Sequence, residues 1–429
     1  MSTATVTQIR TMPVADVIFR EDLYPRIQTS ALTVQQYAET IELLPPIEVN
    51  QHQELIDGWH RWTAHKKAGV ERIAFTVTKT ANESEFLELA IERNATHGLQ
   101  LSQEDKRDMA RRIYHVTPER ERDEKKKHLA QILSVSERTI REWLSRIDKD
   151  SKDARDRRIF ELWMACYTQE DIAEKVGITH QAIAQVLQET ATLPEIAKPA
   201  ASHLIDFEVP IYNIWKQQER SPGASHFGNS EVRWVDNLLY LYTQPFDVIV
   251  DPFAGSGSTI DICRKRFRRY WVSDRKPIVE REKEIRRHDL TTGLPPLPKL
   301  HWQNVRLVYL DPPYWKQAAG RYSDDAEDFA NMPLEQFTAI LVRTIHAFAK
   351  KLKTGAVIAL MISPTQWNAP ERAYTDHLAS VLTAVDLPLD MRYSVPYESQ
   401  QYNGQMVEWA KANRRCLVLT REIVTWRIG

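Results

Sequence analysis

Two short stretches of this sequence place acids, glycines and an aromatic ring where a reacting ligand could be held. The first is Val248-Ile249-Val250-Asp251-Pro252-Phe253-Ala254-Gly255-Ser256-Gly257-Ser258-Thr259, and the second is Leu307-Val308-Tyr309-Leu310-Asp311-Pro312-Pro313-Tyr314. Each begins as an apolar run of the kind that forms a parallel strand buried on both faces. Each then breaks at its carboxyl end into an acid followed by prolines or glycines, and open α/β sheets bind their ligands at that end. Glycines after Asp251 let the backbone pass close beneath a ligand, and the helical stretch Thr259 to Arg266 offers unpaired N–H groups at its start. Arg269-Tyr270-Trp271-Val272-Ser273-Asp274 repeats the pattern, and an acid at such a strand end can accept both hydroxyls of a ribose. His288-Asp289-Leu290 reads as the end of a third strand, where Asp289 or its neighbouring N–H can meet an adenine amino group. The expected cofactor contacts are therefore Asp251, Phe253, Gly255, Gly257, Ser258, Asp274 and Asp289.

Asp251 to Thr259 resembles the S-adenosylmethionine-binding motif of amino-methylating DNA methyltransferases, and Asp311-Pro312-Pro313-Tyr314 is similar to their catalytic tetrapeptide. The resemblance implies an α/β Rossmann-like domain, S-adenosyl-L-methionine as cofactor, and Asp311, Pro312, Pro313 and Tyr314 as catalytic residues. An exocyclic amine on a nucleobase is a poor nucleophile because its lone pair spreads into the ring. Asp311 and the Pro312 carbonyl can accept its two hydrogens and favour the pyramidal nitrogen that attacks a sulfonium methyl. Two prolines stiffen the turn, and Tyr314 can stack on a base that has left the duplex. This chemistry needs neither metal nor covalent nucleophile. No Pro-Cys dipeptide occurs, which sets the chain apart from ring-carbon cytosine methyltransferases. Asp at the first position leans towards adenine N6, with cytosine N4 as the rival. His226-Phe227-Gly228-Asn229 resembles the segment that completes the methionine pocket in this family, so Phe227 and Asn229 join the expected cofactor contacts, a linker turn being the alternative.

The rest of the chain must position these groups. Its 429 residues suggest two or three domains. Residues 1–100 read as a small α+β domain, 101–195 as an all-α region with two helix-turn-helix units, 196–204 as a linker and 205–429 as the methyltransferase domain. In the first, Ile47-Glu48-Val49 and Ile73 to Val77 read as strands around Leu55-Ile56-Asp57-Gly58-Trp59-His60-Arg61, with a helix from Trp62 to Ala68. That order resembles the ParB and sulfiredoxin nucleotide-binding fold. It implies that Gly58, His60 and Arg61 meet a nucleotide phosphate at a helix start, against a turn cap or a DNA phosphate contact.

Leu129 to Leu144 forms the first helix-turn-helix pattern, capped at Ser136, and Asp171 to Leu187 the second, with Gly177 at its turn and Thr179 as cap. Arg138, Arg141 and Arg146, with Lys125, Lys126 and Lys127 upstream, make the first unit the expected DNA contact. The second carries Glu170, Asp171 and Glu174 and offers only His180, Gln181 and Gln185, which suits packing or dimerisation as well as base reading. Roughly sixty residues between the glycine loop and the catalytic loop leave no room for a recognition domain of usual size. Recognition is expected from the loops Trp315 to Phe329 and Pro396 to Asn413, or from the helix-turn-helix units. A fifth strand at Ala356 to Ile362, a strand-like Val209 to Trp215, and a terminal hairpin of Met391 to Val395 with Arg415 to Leu419 complete the expected fold.

Net charge of −1 conceals any local basic patch. Cys166, Cys263 and Cys416 lack Cys-x-x-Cys spacing, so neither a disulfide framework nor a zinc site is expected. No signal region or membrane-length apolar stretch stands out, and a cytoplasmic, nucleoid-associated protein is expected. Double-stranded DNA is the expected partner, a homodimer being left open. The alternatives are an N4-cytosine enzyme, a partition or transcription regulator with a methyltransferase-like domain, and an RNA amino-methyltransferase, which the helix-turn-helix units disfavour.

Overall fold

The computed structural model describes residues 8–25, 29–96, 101–192, 203–216, 231–316, 328–366, 373–396 and 402–429. Phe227 and Asn229 lie outside the described residues, as do most of the loop after Tyr314 and residues 397–401. The chain divides into two compact units, Met1–Ala154 and Arg155–Gly429. The boundary expected near residue 205 thus falls inside the second unit.

In the first unit, β1 (Arg10–Pro13), β2 (Ile47–Val49), β3 (Leu55–Asp57) and β4 (Arg72–Val77) form one sheet in the order β1-β4-β2-β3. Helices α1 (Ala31–Glu39), α2 (Trp59–Lys67) and α3 (Glu83–Thr96) accompany it. Ile47, Val49, Leu55 and Ile73 bury completely or nearly so against Trp62. Helix α2 starts at Trp59, three residues earlier than expected. Gly58 turns the chain there at φ +106°, and a Cβ on it would stand 2.7 Å from Ile47 Cγ2, so only glycine permits the entry.

Helices α4 (Gln103–Val116), α5 (Arg122–Ile132) and α6 (Glu137–Met164) follow. Ser136 caps α6 as expected, its hydroxyl accepting from Thr139 N at 3.1 Å. The helix runs far beyond Leu144 because no glycine or proline interrupts 137–164. Of the lysine run, Lys125 pairs with Glu88 at 2.7 Å and Lys126 with Asp148 at 2.9 Å, both inside this unit. Lys127 alone of the three is fully exposed.

The second unit holds the end of α6, then α7 (Gln169–Val176), α8 (His180–Thr192) and α9 (Val232–Tyr242). Its sheet is built from β5 (Val248–Asp251), β6 (Arg269–Asp274), β7 (Arg286–Arg287), β8 (Val305–Leu310) and β9 (Val357–Ile362), followed after a small β10 (Thr365–Gln366) and β11 (Tyr374–Thr375) ribbon by β12 (Leu389–Ser394) and β13 (Glu422–Arg427). The order is β12-β13-β9-β8-β5-β6-β7. Strands β7, β6, β5, β8 and β9 run parallel, and β13 is antiparallel to both its neighbours. The chain moves outward from β5 to β7 and then returns to β8 on the other side of β5. That reversal makes the carboxyl ends of β5 and β8 the topological switch point. Helices α10 (Ser258–Lys265), α11 (Leu334–Ala349), α12 (His377–Ala384) and α13 (Gly404–Ala412) complete the layers.

Two sequence expectations are corrected. The second arm of the terminal hairpin is Glu422–Arg427, not Arg415 to Leu419. A strand lying between β9 and β12 is covered on both faces, and Ile423, Val424, Thr425 and Trp426 are all buried, whereas Arg415 and Cys416 are exposed. Val209 to Trp215 forms no strand, only a single bridge from Ile214 to Ser394.

The second helix-turn-helix unit lies in the same compact unit as the seven-stranded sheet, with a small core of its own around Ile159, Ile172 and Ile183. Met164 and Cys166, at the end of α6, enter the two core clusters of the sheet. Two arginines from the sheet hold that helix end: Arg269 Nε donates to the Trp163 carbonyl at 3.2 Å and Arg286 Nη2 to the Ala165 carbonyl at 2.7 Å. Arg269 also lies over the Trp163 ring, and Arg286 over Tyr167 and Trp271. Among the described residues neither guanidinium has a carboxylate partner. The carbonyls that end α6 and the aromatic faces stand in for one.

Candidate active site

Asp251, the last residue of β5, is 2% exposed. Its Oδ1 accepts from Phe253 N at 2.9 Å and its Oδ2 from the Thr259 hydroxyl at 2.6 Å. Burial pushes this carboxyl up to about 7; the two hydrogen bonds oppose the shift, and the nearby charges of Asp311 and Asp274 add to it. The Asp251 side chain therefore folds the loop from within, tying the strand end to the start of α10. Gly255 at φ +50° and Gly257 at φ +80° turn the backbone into that helix. Among the described residues a Cβ at Gly255 would meet nothing nearer than the Phe253 carbonyl oxygen at 4.0 Å. Ser258 opens α10, and Phe253 packs edge-on against Phe329 with ring centroids 5.4 Å apart.

Asp274 ends β6 beside this loop. Its Oδ2 accepts from Gly255 N at 3.0 Å and its Oδ1 from Lys276 N at 2.9 Å, so the acid is locked to the glycine turn while staying half-buried. Asp289 lies just beyond β7, where its Oδ1 accepts from Thr291 N at 2.9 Å and from the Thr291 hydroxyl at 2.7 Å. Its Oδ2 meets Arg275 Nε at 3.2 Å.

Asp311 leaves β8 with both oxygens engaged by phenols. Tyr309 donates to Oδ2 at 3.3 Å and Tyr314 to Oδ1 at 3.2 Å. Pro312 is buried, and the Trp315 indole anchors the following turn by donating to the Met332 carbonyl at 2.8 Å. The structure thus brings Asp251, Gly255, Gly257, Asp274 and Asp311 to the carboxyl ends of three adjacent strands.

Arg281 was not legible as a site residue. Its Nη1 donates to the Gly257 carbonyl at 2.9 Å and to Asp261 Oδ2 at 2.9 Å, and its Nε to Glu284 at 2.8 Å. A Cβ on Gly257 would press on this guanidinium at 3.0 Å. The arginine braces the glycine loop from behind, and only a contact across some twenty residues of chain could reveal it.

In the first unit, Arg138, Arg141 and Arg146 are exposed and among the described residues make only within-helix pairs to Glu142, Glu137 and Asp150, which hold such side chains weakly. Arg61 is differently placed. It bonds Asp57 at 2.6 Å and the Pro46 carbonyl at 2.8 Å, and His60 Nε2 accepts from Ser30 N at 3.0 Å. Both side chains hold the Gly58 turn to its surroundings.

Among the described residues no helix is long and apolar enough to cross a membrane. A family model described as DNA methylase, covering N6 and N4 methyltransferases, matches residues 75–280, and the ParB N-terminal domain model matches residues 1–95. The methylase match takes in the glycine loop and Asp274 and ends before Asp311. No curated protein matches the chain. Among solved structures the chain is similar to a C-terminally truncated chromosome-partitioning protein ParB from Caulobacter crescentus complexed with CTP-gamma-S, at 16% identity over 46% of this chain and 87% of that one, with a TM-score of 0.20. It is also similar to a precorrin-6y C5,15-methyltransferase from Geobacter metallireducens, at 13% identity over 52% and 100% with a TM-score of 0.27. An rRNA methylase from Streptococcus thermophilus follows at 11% identity over 47% and 98%, TM-score 0.29.

Proposed function

We propose that this chain, a ParB N-terminal domain joined to a DNA methylase domain, transfers a methyl group from S-adenosylmethionine to the N6 amine of adenine in duplex DNA. The observation that carries the reading is the meeting of Asp251, Asp274 and Asp311 at the ends of β5, β6 and β8, around the glycine turn at the switch point of the sheet. The residues fit the cofactor. Asp274 would accept the ribose hydroxyls, the turn at Gly255 would pass beneath the cofactor, and Asp289 or its neighbouring N–H would meet the adenine amino group. Phe227 and Asn229 are proposed for the methionine end.

S-adenosylmethionine supplies a methyl group on an electron-poor sulfur. Asp311 and the Pro312 carbonyl accept the two hydrogens of the target amine, which pulls its lone pair out of the ring and aims it at that methyl. Asp311 is placed to take the proton the amine must lose. Tyr314 leaves its bond to Asp311 and stacks on the flipped base, which removes it from the duplex stack. Digesting methylated duplex DNA to nucleosides tests the reading: the labelled methyl is expected in N6-methyladenine. Label in N4-methylcytosine would transfer the same machinery to the rival base, and label in neither would end the proposal.

Asp274→Ala should weaken S-adenosylmethionine binding by about 1–3 kcal/mol, the cost of leaving polar partners unpaired. Calorimetry on the full chain measures it, and an unchanged affinity would move the ribose contact elsewhere.

DNA docking is assigned to Arg138, Arg141 and Arg146. Neutralising Arg138 and Arg141 to Gln should flatten the salt dependence of DNA affinity by about one unit of slope per lost phosphate contact, while Gln181→Ala and Gln185→Ala should leave the slope alone. For a nucleotide phosphate to be met by Arg61, its guanidinium would have to leave Asp57 and the Pro46 carbonyl. A nucleotide phosphate at Gly58, His60 and Arg61 stays part of the proposal, the guanidinium exchanging Asp57 for the phosphate when it binds. The protein would act where the cell keeps its DNA, in the cytoplasm and at the nucleoid.

A further inference from the structure

Tyr309 is two residues before Asp311 on β8, on the same face of the strand. Its ring is 2% exposed and packs in the cluster containing Ile249, Leu307, Ala359 and Met361. Its hydroxyl reaches Asp311 Oδ2 at 3.3 Å and lies 3.9 Å from Met361 Sδ. Tyr314 takes the opposite oxygen, Oδ1, at 3.2 Å from the loop. The two phenols differ in freedom: Tyr314 is half-buried at the start of a loop, whereas the Tyr309 ring is fixed in the core of the sheet.

We infer that Tyr309 is a positioning residue for Asp311, fixing the rotation of the carboxylate so that Oδ1 points where the amine hydrogen arrives once Tyr314 turns to the base. The inference rests on the reading of Asp311 as the amine acceptor. The torsion that rotates an aspartate carboxylate is soft and has broad minima, so a second anchor is needed to hold one oxygen in a reacting direction. A phenol donating to a carboxylate is a charge-assisted bond, stronger than a neutral one. Misdirecting a reacting group by a fraction of an ångström is enough to slow a reaction strongly.

The test uses the full chain with Tyr309→Phe, which keeps the ring and the packing and removes only the hydroxyl. The expected result is a fall in kcat of about tenfold, with KM for S-adenosylmethionine, KM for DNA and Tm all unchanged. A wild-type kcat would overturn the inference, and so would a loss confined to Tm. Adding Tyr309→Phe to Asp311→Asn should cause no further loss of kcat, because the hydroxyl acts through the carboxylate; a further tenfold fall would also overturn it. Asp311→Asn separates the two claims. If that variant is as active as the wild type, the reading of the site fails; if it is inactive while Tyr309→Phe keeps the wild-type kcat, only the role of Tyr309 fails.

Discussion

Asp311→Ala should lower methyl transfer to duplex DNA by more than about a hundredfold, the scale seen when one preorganised polar partner of a transition state is removed. S-adenosylmethionine affinity should stay close to that of the wild type, because the glycine turn is held by Asp251, Asp274 and Arg281 and not by Asp311. Tyr309 and Tyr314 would each lose one acceptor. Transfer of tritiated methyl groups, read beside calorimetric cofactor binding, separates the two effects. A variant that transfers methyl groups at a near wild-type rate would remove Asp311 from the chemistry.

The second large effect concerns the end of α6 and the helix pair that follows it. A chain starting at residue 196 would lose Trp163 and the Ala165 carbonyl, leaving Arg286 without the carbonyl that now accepts its hydrogen and Arg269 with its contact to His301 Nδ1 alone among the described residues. It would also strip Met164 and Cys166 from the two cores. Breaking the partner of one buried charge costs about 3–5 kcal/mol, and for a domain of this size each kcal/mol moves Tm by about 2–4 °C. Such a chain should melt at least about 10 °C below one starting at residue 155, or fail to fold. Equal melting temperatures would mean that α7 and α8 are a detachable module. The comparison also sets the proper truncation for recognition experiments: removing residues 1–154 takes away Arg138, Arg141 and Arg146 without unroofing the sheet.

Much of the site was legible because a parallel strand buried on both faces writes itself as an apolar run, and its ligand end as an acid, glycine or proline. Val248–Asp251, Arg269–Asp274 and Val305–Leu310 all follow that pattern. The hairpin arm was misplaced for a related reason. Arg415 to Leu419 looks as strand-like locally as Glu422–Arg427, and only pairing with β9 on one side and β12 on the other decides between them. Arg269, Arg281 and Arg286 were opaque because a charged residue in sequence reads as surface. Their burial depends on partners that the sequence does not place beside them: the Trp163 carbonyl, the Gly257 carbonyl and the Ala165 carbonyl. The partners of Arg61, Asp57 and the Pro46 carbonyl, are equally absent from the motif, which shows the turn and not what holds it. The length of α6 follows from the absence of a breaker, since an uninterrupted polar helix continues until something stops it.

Asp311, at the end of β8, is proposed to accept the hydrogens of a DNA amine while S-adenosylmethionine gives up its methyl group to that amine. Long-read sequencing of DNA from cells expressing the full chain, beside cells expressing Asp311→Ala, tests it most directly. Modified adenines are expected at one recurring short sequence in the first sample and none in the second. Unmodified DNA in the first, or the same modified positions persisting in the second, would contradict it.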